Sequence, residues 1–155
     1  MDPLVIAADD PRADDVRALL QRHLEFAHEH TPPQHVHALD VDGLLDPAIT
    51  FFSARRDRQL LAVGALKQLD QAHGELKCMH TTESARGQGI GGAMADHLLD
   101  VARCRGYRRV SLETGAMDAF APARSLYARW GFTPCGRFGD YPESPTSAFM
   151  TLLLG

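Results

Sequence analysis

The chain has 155 residues, of which 45% are hydrophobic and 23% charged, and its formal net charge is −4. This length suits a single domain spanning residues 1–155, and the composition is typical of a globular protein rather than a disordered or fibrous one. Because no overall positive charge would attract nucleic acid or anionic lipid, we expect neither as a partner.

The cysteines and the N-terminus favour a cytoplasmic protein. Cys78, Cys104 and Cys135 are far apart and form no CxxC or Cys/His metal motif, which argues against a disulfide framework. The first residues lack a basic region followed by an apolar run, and no stretch approaches the ~18 apolar residues of a membrane span. We therefore expect a cytoplasmic protein without a membrane segment.

The start of the chain predicts a short apolar strand and then an amphipathic helix. The apolar run Leu4–Ala8 is followed by Asp9 and Asp10, either of which suits an N-cap, and by Pro11, which suits a first helical turn. Apolar residues then recur at helical spacing to about His28. This pattern indicates a helix with one face against a core.

The next segment contains two prolines and a possible short helix over Val36–Leu45, so it reads as a loop that wraps the domain. It carries no recognised metal-ligand spacing, although four histidines lie in or beside it: His28, His30, His35 and His37. We expect no metal site there.

From Ile49 the apolar period becomes that of strands. Three extended runs separated by turn-forming clusters predict an antiparallel meander: Ile49–Ala54, Leu60–Leu66 and Glu75–Thr81. The remaining predicted elements are a helix over Gly89–Arg105, a strand over Arg108–Thr114, a helix from Pro122 to Gly131, and strands over Phe132–Phe138 and Ser147–Leu153.

The segment between the third extended run and the following helix has the composition of an anion site. Backbone N–H groups at a helix N-terminus converge on one point and carry the positive end of the helix dipole. Gly87, Gly89 and Gly91 would let a ligand approach this backbone closely, and Arg86 could add a charged donor. The pattern predicts a pyrophosphate-binding loop.

Three other interpretations of this loop are weaker. Gly87, Gly89 and Gly92 satisfy the GxGxxG pattern of dinucleotide folds, and Glu113 lies where a ribose-binding acid would be expected. However, the polar segment His80–Arg86 separates the strand from the first glycine, and too few residues follow Glu113 for a doubly wound sheet. A nucleoside triphosphatase loop would need a Lys-Ser or Lys-Thr pair, and a plain glycine turn would not need the arginine.

Two motifs resemble the GNAT superfamily of N-acetyltransferases. RGQGIG, Arg86 to Gly91, is similar to the family signature Arg/Gln-x-x-Gly-x-Gly/Ala between a central strand and a helix. FAPARSLYARWGF, Phe120 to Phe132, resembles a later family helix. One position departs from the family, because Phe120 replaces an asparagine that many members use to contact the coenzyme's pantetheine arm.

The resemblance implies a mixed α/β fold, in which a central splayed sheet is flanked by helices on both faces and the coenzyme arm lies in the gap. It implies acetyl coenzyme A as co-substrate, no metal, and possible homodimers. The coenzyme-binding positions carried over from the family are Met79, His80, Thr81, Arg86, Gly87, Gln88, Gly89, Ile90, Gly91, Gly92, Ala123 and Tyr127. The first three would pair through their backbone, as an added strand does.

Three residues are candidates for the chemistry of acetyl transfer to an amine. Tyr127 lies where family members often place a tyrosine that protonates the leaving thiolate. Glu75 and Glu113 compete as the base, and we favour Glu75 because strand alternation puts it with Lys77 on one face, opposite Leu76 and Cys78. Lys77 complicates this role, and a solvated turn at Glu75 is an open alternative.

The function we expect is N-acetylation of a primary amine by direct attack in a ternary complex, with a small molecule or amino acid favoured over a protein. Cys78 is a poor nucleophile for an acyl-enzyme, because it lies mid-strand without an evident His or Asp partner. Two alternatives stay open: a catalytically silent acyl-coenzyme A-binding module and a dinucleotide-binding oxidoreductase.

Overall fold

The computed structural model describes residues 3–35 and 39–155, and within them seven strands form one sheet with helices on both faces. The strands are β1 (Val5–Ala8), β2 (Ile49–Arg56), β3 (Gln59–Gln68), β4 (His73–Thr81), β5 (Arg109–Gly115), β6 (Thr133–Pro134) and β7 (Ser147–Leu153). The helices are α1 (Asp14–His30), α2 (Val41–Leu44), α3 (Ile90–Cys104) and α4 (Ala121–Arg129), with 3-10 turns at Pro33–His35, Glu83–Ala85 and Asp118–Phe120. The predicted mixed α/β class is confirmed.

The sheet is splayed at its centre. Its strand order is β1-β2-β3-β4-β5-β7-β6, and every neighbouring pair is antiparallel except β4 and β5, which run parallel. The parallel pairing extends only from His73–Glu75 to Arg109–Ser111, although β4 continues to Thr81 and β5 to Gly115. The two strands therefore diverge after Glu75 and leave a wedge between them, as the family resemblance implies.

The two faces of the sheet carry separate cores. On one face α3 packs on the central strands, in a cluster that includes Leu66, Leu76, Met94, Leu98 and Val110. On the other face α1 and α2 cover the sheet, in a cluster that includes Val16, Leu20, Leu44, Val63 and Cys78. Helices on both faces seal the central strands from water, so the wedge is the place where a ligand can enter between them.

The prediction that Asp9 or Asp10 caps the first helix is wrong, because α1 begins at Asp14. The Asp9 carboxylate is engaged elsewhere: Ser53 Oγ donates to it over 2.5 Å and Arg55 pairs with it at 3.1 Å. These contacts tie the end of β1 to β2. The chain therefore needs an extra turn before the helix can begin.

The short helix predicted over Val36–Leu45 is shorter in the structure. Only Val41–Leu44 is helical, with the Asp40 side chain accepting a hydrogen bond from the Gly43 amide over 2.9 Å, and residues 36–38 lie outside the described part of the chain. Asp40 is a regular N-cap, so the helix starts where the first strong capping residue stands.

The strand predicted over Phe132–Phe138 is also shorter, since only Thr133–Pro134 pairs with β7. The chain leaves the sheet because later residues fold onto its face: the Phe138 ring lies 5.7 Å from that of His73 and 5.4 Å from that of Tyr141. The segment 135–146, which we call the tail loop, therefore covers the wedge instead of extending the sheet.

A buried polar chain holds the closed end of the wedge. Arg109 donates to His73 Nδ1 over 3.2 Å, so in the neutral ring Nε2–H donates to Ser111 Oγ over 2.7 Å. Ser111 bonds Thr151 Oγ1 over 2.8 Å, and Thr151 donates to the Val110 carbonyl over 3.3 Å. The chain links β4, β5 and β7 at the point where the wedge begins.

We expect His73→Leu to lower the free energy of unfolding by about 1–3 kcal/mol near neutral pH, because it removes the hydrogen bonds of His73 to Ser111 and Arg109. Burial, and then Arg109, lower the pKa of His73 in the fold. The unfolded chain therefore takes up the proton first as the pH falls below about 6.5, and the wild type loses this part of its stability there.

Urea unfolding near neutral pH and at about pH 5 measures both effects. The deficit of His73→Leu should be smaller in acid, while His28→Leu, at an exposed position of α1, should track the wild type at both values. An equal deficit at both pH values would show that His73 does not titrate with unfolding.

Candidate active site

The glycine loop forms an open cradle at the N-terminus of α3. Gly87 and Gly89 both have φ of +78°, a conformation that side-chain-bearing residues rarely adopt, and a Cβ built on either would have no atom within 4 Å. No side chain caps the helix at Gly89. The first-turn N–H groups and the helix dipole therefore face open space, which fits an anionic group such as a pyrophosphate.

Gly91 and Gly92 lie where α3 meets the ends of β4 and α4. A Cβ on Gly91 would lie 3.4 Å from Thr81 Oγ1, and one on Gly92 would lie 3.6 Å from Trp130 Nε1. Both distances are ordinary van der Waals contacts, and they show that the start of α3 packs against the end of β4 and the end of α4. The loop is thus positioned at the open end of the wedge.

A β-bulge changes the direction of the side chains in the second half of β4. Lys77 pairs with Ala65 and His80 with Val63, so Cys78 and Met79 together oppose Gly64, and Cys78 has φ of +55°. The bulge reverses the alternation of side chains beyond this point. Cys78 consequently lies in the α1-side core, so the expectation that it shares a face with Leu76 is wrong.

The bulge also changes what faces the wedge. Met79 contacts the α3-side core and Thr81 approaches α3, whereas His80 turns toward α1. The inference that Glu75 and Thr81 share a face is therefore wrong. Because β5 pairs only with the first three residues of β4, the backbone of Met79–Thr81 is paired with β3 on one edge, and its other edge faces the wedge.

A cavity of about 110 Å³ lies in the wedge between β4, β5, α1 and the tail loop. Its walls include all three predicted catalytic residues, Glu75, Glu113 and Tyr127. They come from a strand, its parallel neighbour and α4, so the splay is what brings them together. Met79 also lines the cavity, while the glycine loop lies outside it.

Glu75 is buried in a polar cluster rather than solvated at a turn. Its side chain is 2% exposed, the hydroxyl of Tyr141 donates to Glu75 Oε2, and Lys77 Nζ lies 3.3 Å from the same oxygen. Lys77 also donates to the Tyr141 hydroxyl over 2.8 Å. Burial, and then Glu75, raise the pKa of Tyr141, so its hydroxyl keeps the proton that it donates.

Sequence reasoning missed Tyr141. It lies in the tail loop segment GDYPESP, which carries no motif, and 66 positions separate it from Glu75. The one available signal was an aromatic residue between glycine and proline in a polar loop. Such a residue often folds back onto a site, but its partner is set by the fold.

Glu113 and Tyr127 share a low-polarity environment. Burial raises the pKa of Glu113 to about 7 and that of Tyr127 to about 12. At neutral pH Glu113 can therefore take or release a proton, and Tyr127 holds its proton until a strong base forms beside it. Such a pair of groups with separated pKa values suits general base and general acid roles.

Cys78, His80 and His35 are the other residues considered from the sequence, and each makes contacts within the fold. Burial raises the pKa of Cys78 to about 11, so its thiol is protonated and a poor nucleophile. His80 Nδ1 lies 3.2 Å from His23 Nδ1, and burial lowers the pKa of His80 to about 4. His35 bonds Thr146 Oγ1 over 2.9 Å.

Within the part of the chain that the structure describes, no three metal-ligating side chains are grouped, and His37 lies outside that part. Among the same residues, no helix is long and apolar enough to cross a bilayer.

The sequence model of the Acetyltransferase (GNAT) family matches residues 13–132, which is most of the chain. The chain belongs to the GNAT acetyltransferase family. The resemblance in the glycine loop is thereby confirmed, and this GNAT protein is an acetyl coenzyme A-dependent acetyltransferase. The dinucleotide-binding alternative is wrong, because the sheet contains a single parallel strand pair and not a doubly wound array.

Relatives match the GNAT protein over nearly its whole length. The uncharacterized N-acetyltransferase YsnE of Bacillus subtilis (strain 168) is 44% identical over 146 residues, covering 94% of this chain and 97% of that protein. The IAA acetyltransferase of Azospirillum brasilense is 34% identical over 151 residues, covering 97% of each.

Solved structures share the fold at lower identity. A GNAT family acetyltransferase from Elizabethkingia anophelis with acetyl-CoA bound has a TM-score of 0.65 and 18% identity, covering 99% of this chain and 100% of that one. A Bacillus subtilis acetyltransferase in complex with CoA has a TM-score of 0.74 and 18% identity, covering 98% and 99%.

Proposed function

We propose that the protein acetylates the primary amine of a small molecule or amino acid by direct attack in a ternary complex. The observation that carries this proposal is the cavity in the wedge, where Glu75, Glu113 and Tyr127 converge. Acetyl coenzyme A would supply a thioester, whose carbonyl carbon accepts the amine. As the C–N bond forms, the C–S bond of the thioester would break and the coenzyme would leave as a thiolate. The amine loses one proton and the thiolate gains one, and the cavity contains groups suited to both transfers.

The coenzyme would be held at the open end of the wedge. The cradle at Gly87 and Gly89 fits its pyrophosphate, with Arg86 as a charged neighbour, and the residues of this loop are Arg86, Gly87, Gln88, Gly89, Ile90, Gly91 and Gly92. The free backbone of Met79, His80 and Thr81 fits the amide-bearing pantetheine arm. Ala123 and Tyr127, on α4, would border this arm.

We assign the base to Glu113 in preference to Glu75. Its pKa of about 7 lets Glu113 accept a proton from the attacking amine under neutral conditions. Glu75 Oε2 already accepts hydrogen bonds from Tyr141 and Lys77, so this oxygen is occupied by partners within the protein. In this proposal Glu75, held by Tyr141 and Lys77, orients the acceptor's ammonium group in the cavity.

The enclosure of the cavity supports a small acceptor. Its walls come from α1, the turn at Pro33–His35 and the tail loop, and its volume is about 110 Å³. His35 and Thr146, which are hydrogen-bonded to each other, close the side between that turn and the tail loop. The relative from Azospirillum brasilense is likewise named for IAA and not for a protein.

A thiol-release assay with acetyl coenzyme A tests the proposal. The panel contains small amines, free amino acids and lysine-containing peptides, and mass spectrometry identifies each product. We expect acceptor-dependent thiol release with amines or amino acids and little with peptides. Efficient acetylation of peptides alone would overturn the assignment of a small acceptor.

Tyr127→Phe is expected to lower kcat on the order of 10²-fold while leaving coenzyme A affinity nearly unchanged, because a proton donor to the thiolate acts mainly in the transition state. Steady-state kinetics and calorimetry measure the two effects separately. Tyr107→Phe is the control, since this tyrosine is buried and donates to Gln68, away from the cavity. An unchanged kcat in Tyr127→Phe, with chemistry rate-limiting, would leave Tyr127 as a core residue.

A further inference from the structure

Three aromatic rings form a rim beside the cavity. The Phe26 ring lies 4.5 Å from that of His30 and 5.4 Å from that of Phe120, and the His30 and Phe120 rings are 6.4 Å apart. Phe26 and His30 project from the last turns of α1, and Phe120 precedes α4. We call these three residues the aromatic rim.

The rim is not part of the protein's core. Neither Phe26 nor Phe120 belongs to either core cluster, and Phe26 is 40% exposed. Large apolar side chains near a concave site, left partly open to water, are typical of ligand contacts. An apolar ligand that covers the rim would remove its apolar surface from water, which favours binding.

The rim is continuous with the cavity. Phe120 lines the cavity directly, as do His23 and Ala27, which stand one turn and one residue from Phe26 on α1. A molecule whose polar end reaches Glu113 can therefore leave its other end against the rim. Charged groups line the interior and aromatic rings border the mouth.

The rim also lies on the opposite side of the sheet from the coenzyme cradle. The cradle begins α3, which packs on one face, while α1 packs on the other. Thr81 points toward α3 and His80 toward α1, where it meets His23. A coenzyme that enters from the α3 side leaves the α1 side to the acceptor.

The Phe120 ring is held in place from behind. It lies against the Gly115 backbone so closely that a Cβ there would overlap the ring. Arg124 Nη1 donates to the carbonyls of Gly115 over 2.6 Å and Met117 over 3.0 Å, which fixes the turn that carries Phe120. A ring fixed before binding loses little entropy when a ligand packs on it.

We propose that the aromatic rim binds an aromatic group of the acceptor, so that the substrates are primary amines carrying an aryl ring on a short chain. This inference rests on the proposed amine acetylation. The amine reaches the carboxylates in the cavity, and its ring packs edge-to-face against Phe26 and Phe120. Such ring pairs, and the area that they bury, favour an aryl group over a plain alkyl chain.

The test compares kcat/KM for three probe amines: phenethylamine, cyclohexylethylamine and n-butylamine. In the wild type we expect phenethylamine to exceed n-butylamine on the order of tenfold, with cyclohexylethylamine between them. Phe26→Leu, which removes a ring but stays apolar, and Phe120→Asn should each remove most of this preference. Leu45→Ala, at a position 45% exposed and outside the cavity, is the control and should keep it.

The results distinguish a failure of the aromatic site from a failure of the proposed amine acetylation, on which this inference rests. Turnover of all three amines at similar kcat/KM, or an aryl preference that survives in both rim variants, would overturn the aromatic site and leave amine acetylation standing. No turnover of the three probes would overturn the aromatic site, while amine acetylation itself would be overturned only if the wider panel of amines and amino acids also gave no turnover. Calorimetry with coenzyme A on each variant shows whether a loss arises instead from the coenzyme site, which would also count against the rim.

Discussion

Gly89→Asp is expected to abolish binding of coenzyme A. The substitution places a Cβ and a negative charge in the open space before the first turn of α3, where the pyrophosphate is proposed to lie. Juxtaposed like charges cost several kcal/mol, which corresponds to a loss of affinity of more than about 10²-fold. Isothermal titration calorimetry with coenzyme A measures this loss.

Gly106→Asp is the matched control for this variant. Gly106 has φ of +83°, nearly the same as Gly89, and a Cβ built on it also meets no atom within 4 Å. The two variants thus carry the same kind of backbone strain, at opposite ends of α3. Normal affinity in a folded Gly89→Asp protein, or an equal loss in Gly106→Asp, would contradict the assignment of the loop.

Glu113→Gln is expected to lower kcat/KM by about 10²–10⁴-fold at neutral pH, the usual contribution of a general base. Because the pKa of Glu113 is about 7, its carboxyl is protonated and inactive in more acidic solution. The wild-type kcat/KM should therefore rise as the pH increases through about 7. We call this rise the limb near 7, and the Glu113→Gln variant should not show it. A pH series of kcat/KM with one amine acceptor measures both effects.

Glu75→Gln distinguishes the two carboxylates. If Glu75 only attracts and orients the ammonium group, its variant should lose rate by a similar factor at every pH and keep the limb near 7. The preference for Glu75 drawn from the sequence would be restored if Glu75→Gln lost most rate at low pH while Glu113→Gln kept the wild-type profile. The two profiles together therefore assign the base.

The glycine loop could be read from the sequence because its structure depends on local chemistry. The left-handed conformations at Gly87, Gly89 and Gly106 belong to residues without a Cβ, and they mark the start and the end of α3. Ser147–Leu153 is likewise a strand over the predicted residues. In these segments the secondary structure that the local residues favour is the one found in the fold.

The interior of the site could not be read in the same way. The bulge at Cys78 arises because two residues of β4 pair with Gly64 on β3, and strand alternation taken from β4 alone places every later side chain on the wrong face. Tyr141 reaches Glu75 from a loop that has no regular pattern.

The protonation of Glu113 depends on how much water the wedge excludes, because the largest cause of its raised pKa is burial. Glu113 lines the cavity together with residues of β4 and the tail loop, which are distant from it in sequence. Strand alternation therefore placed Glu75 beside its neighbour Lys77, whereas contacts between distant segments added Tyr141 to this pair and left Glu113 able to titrate near neutrality.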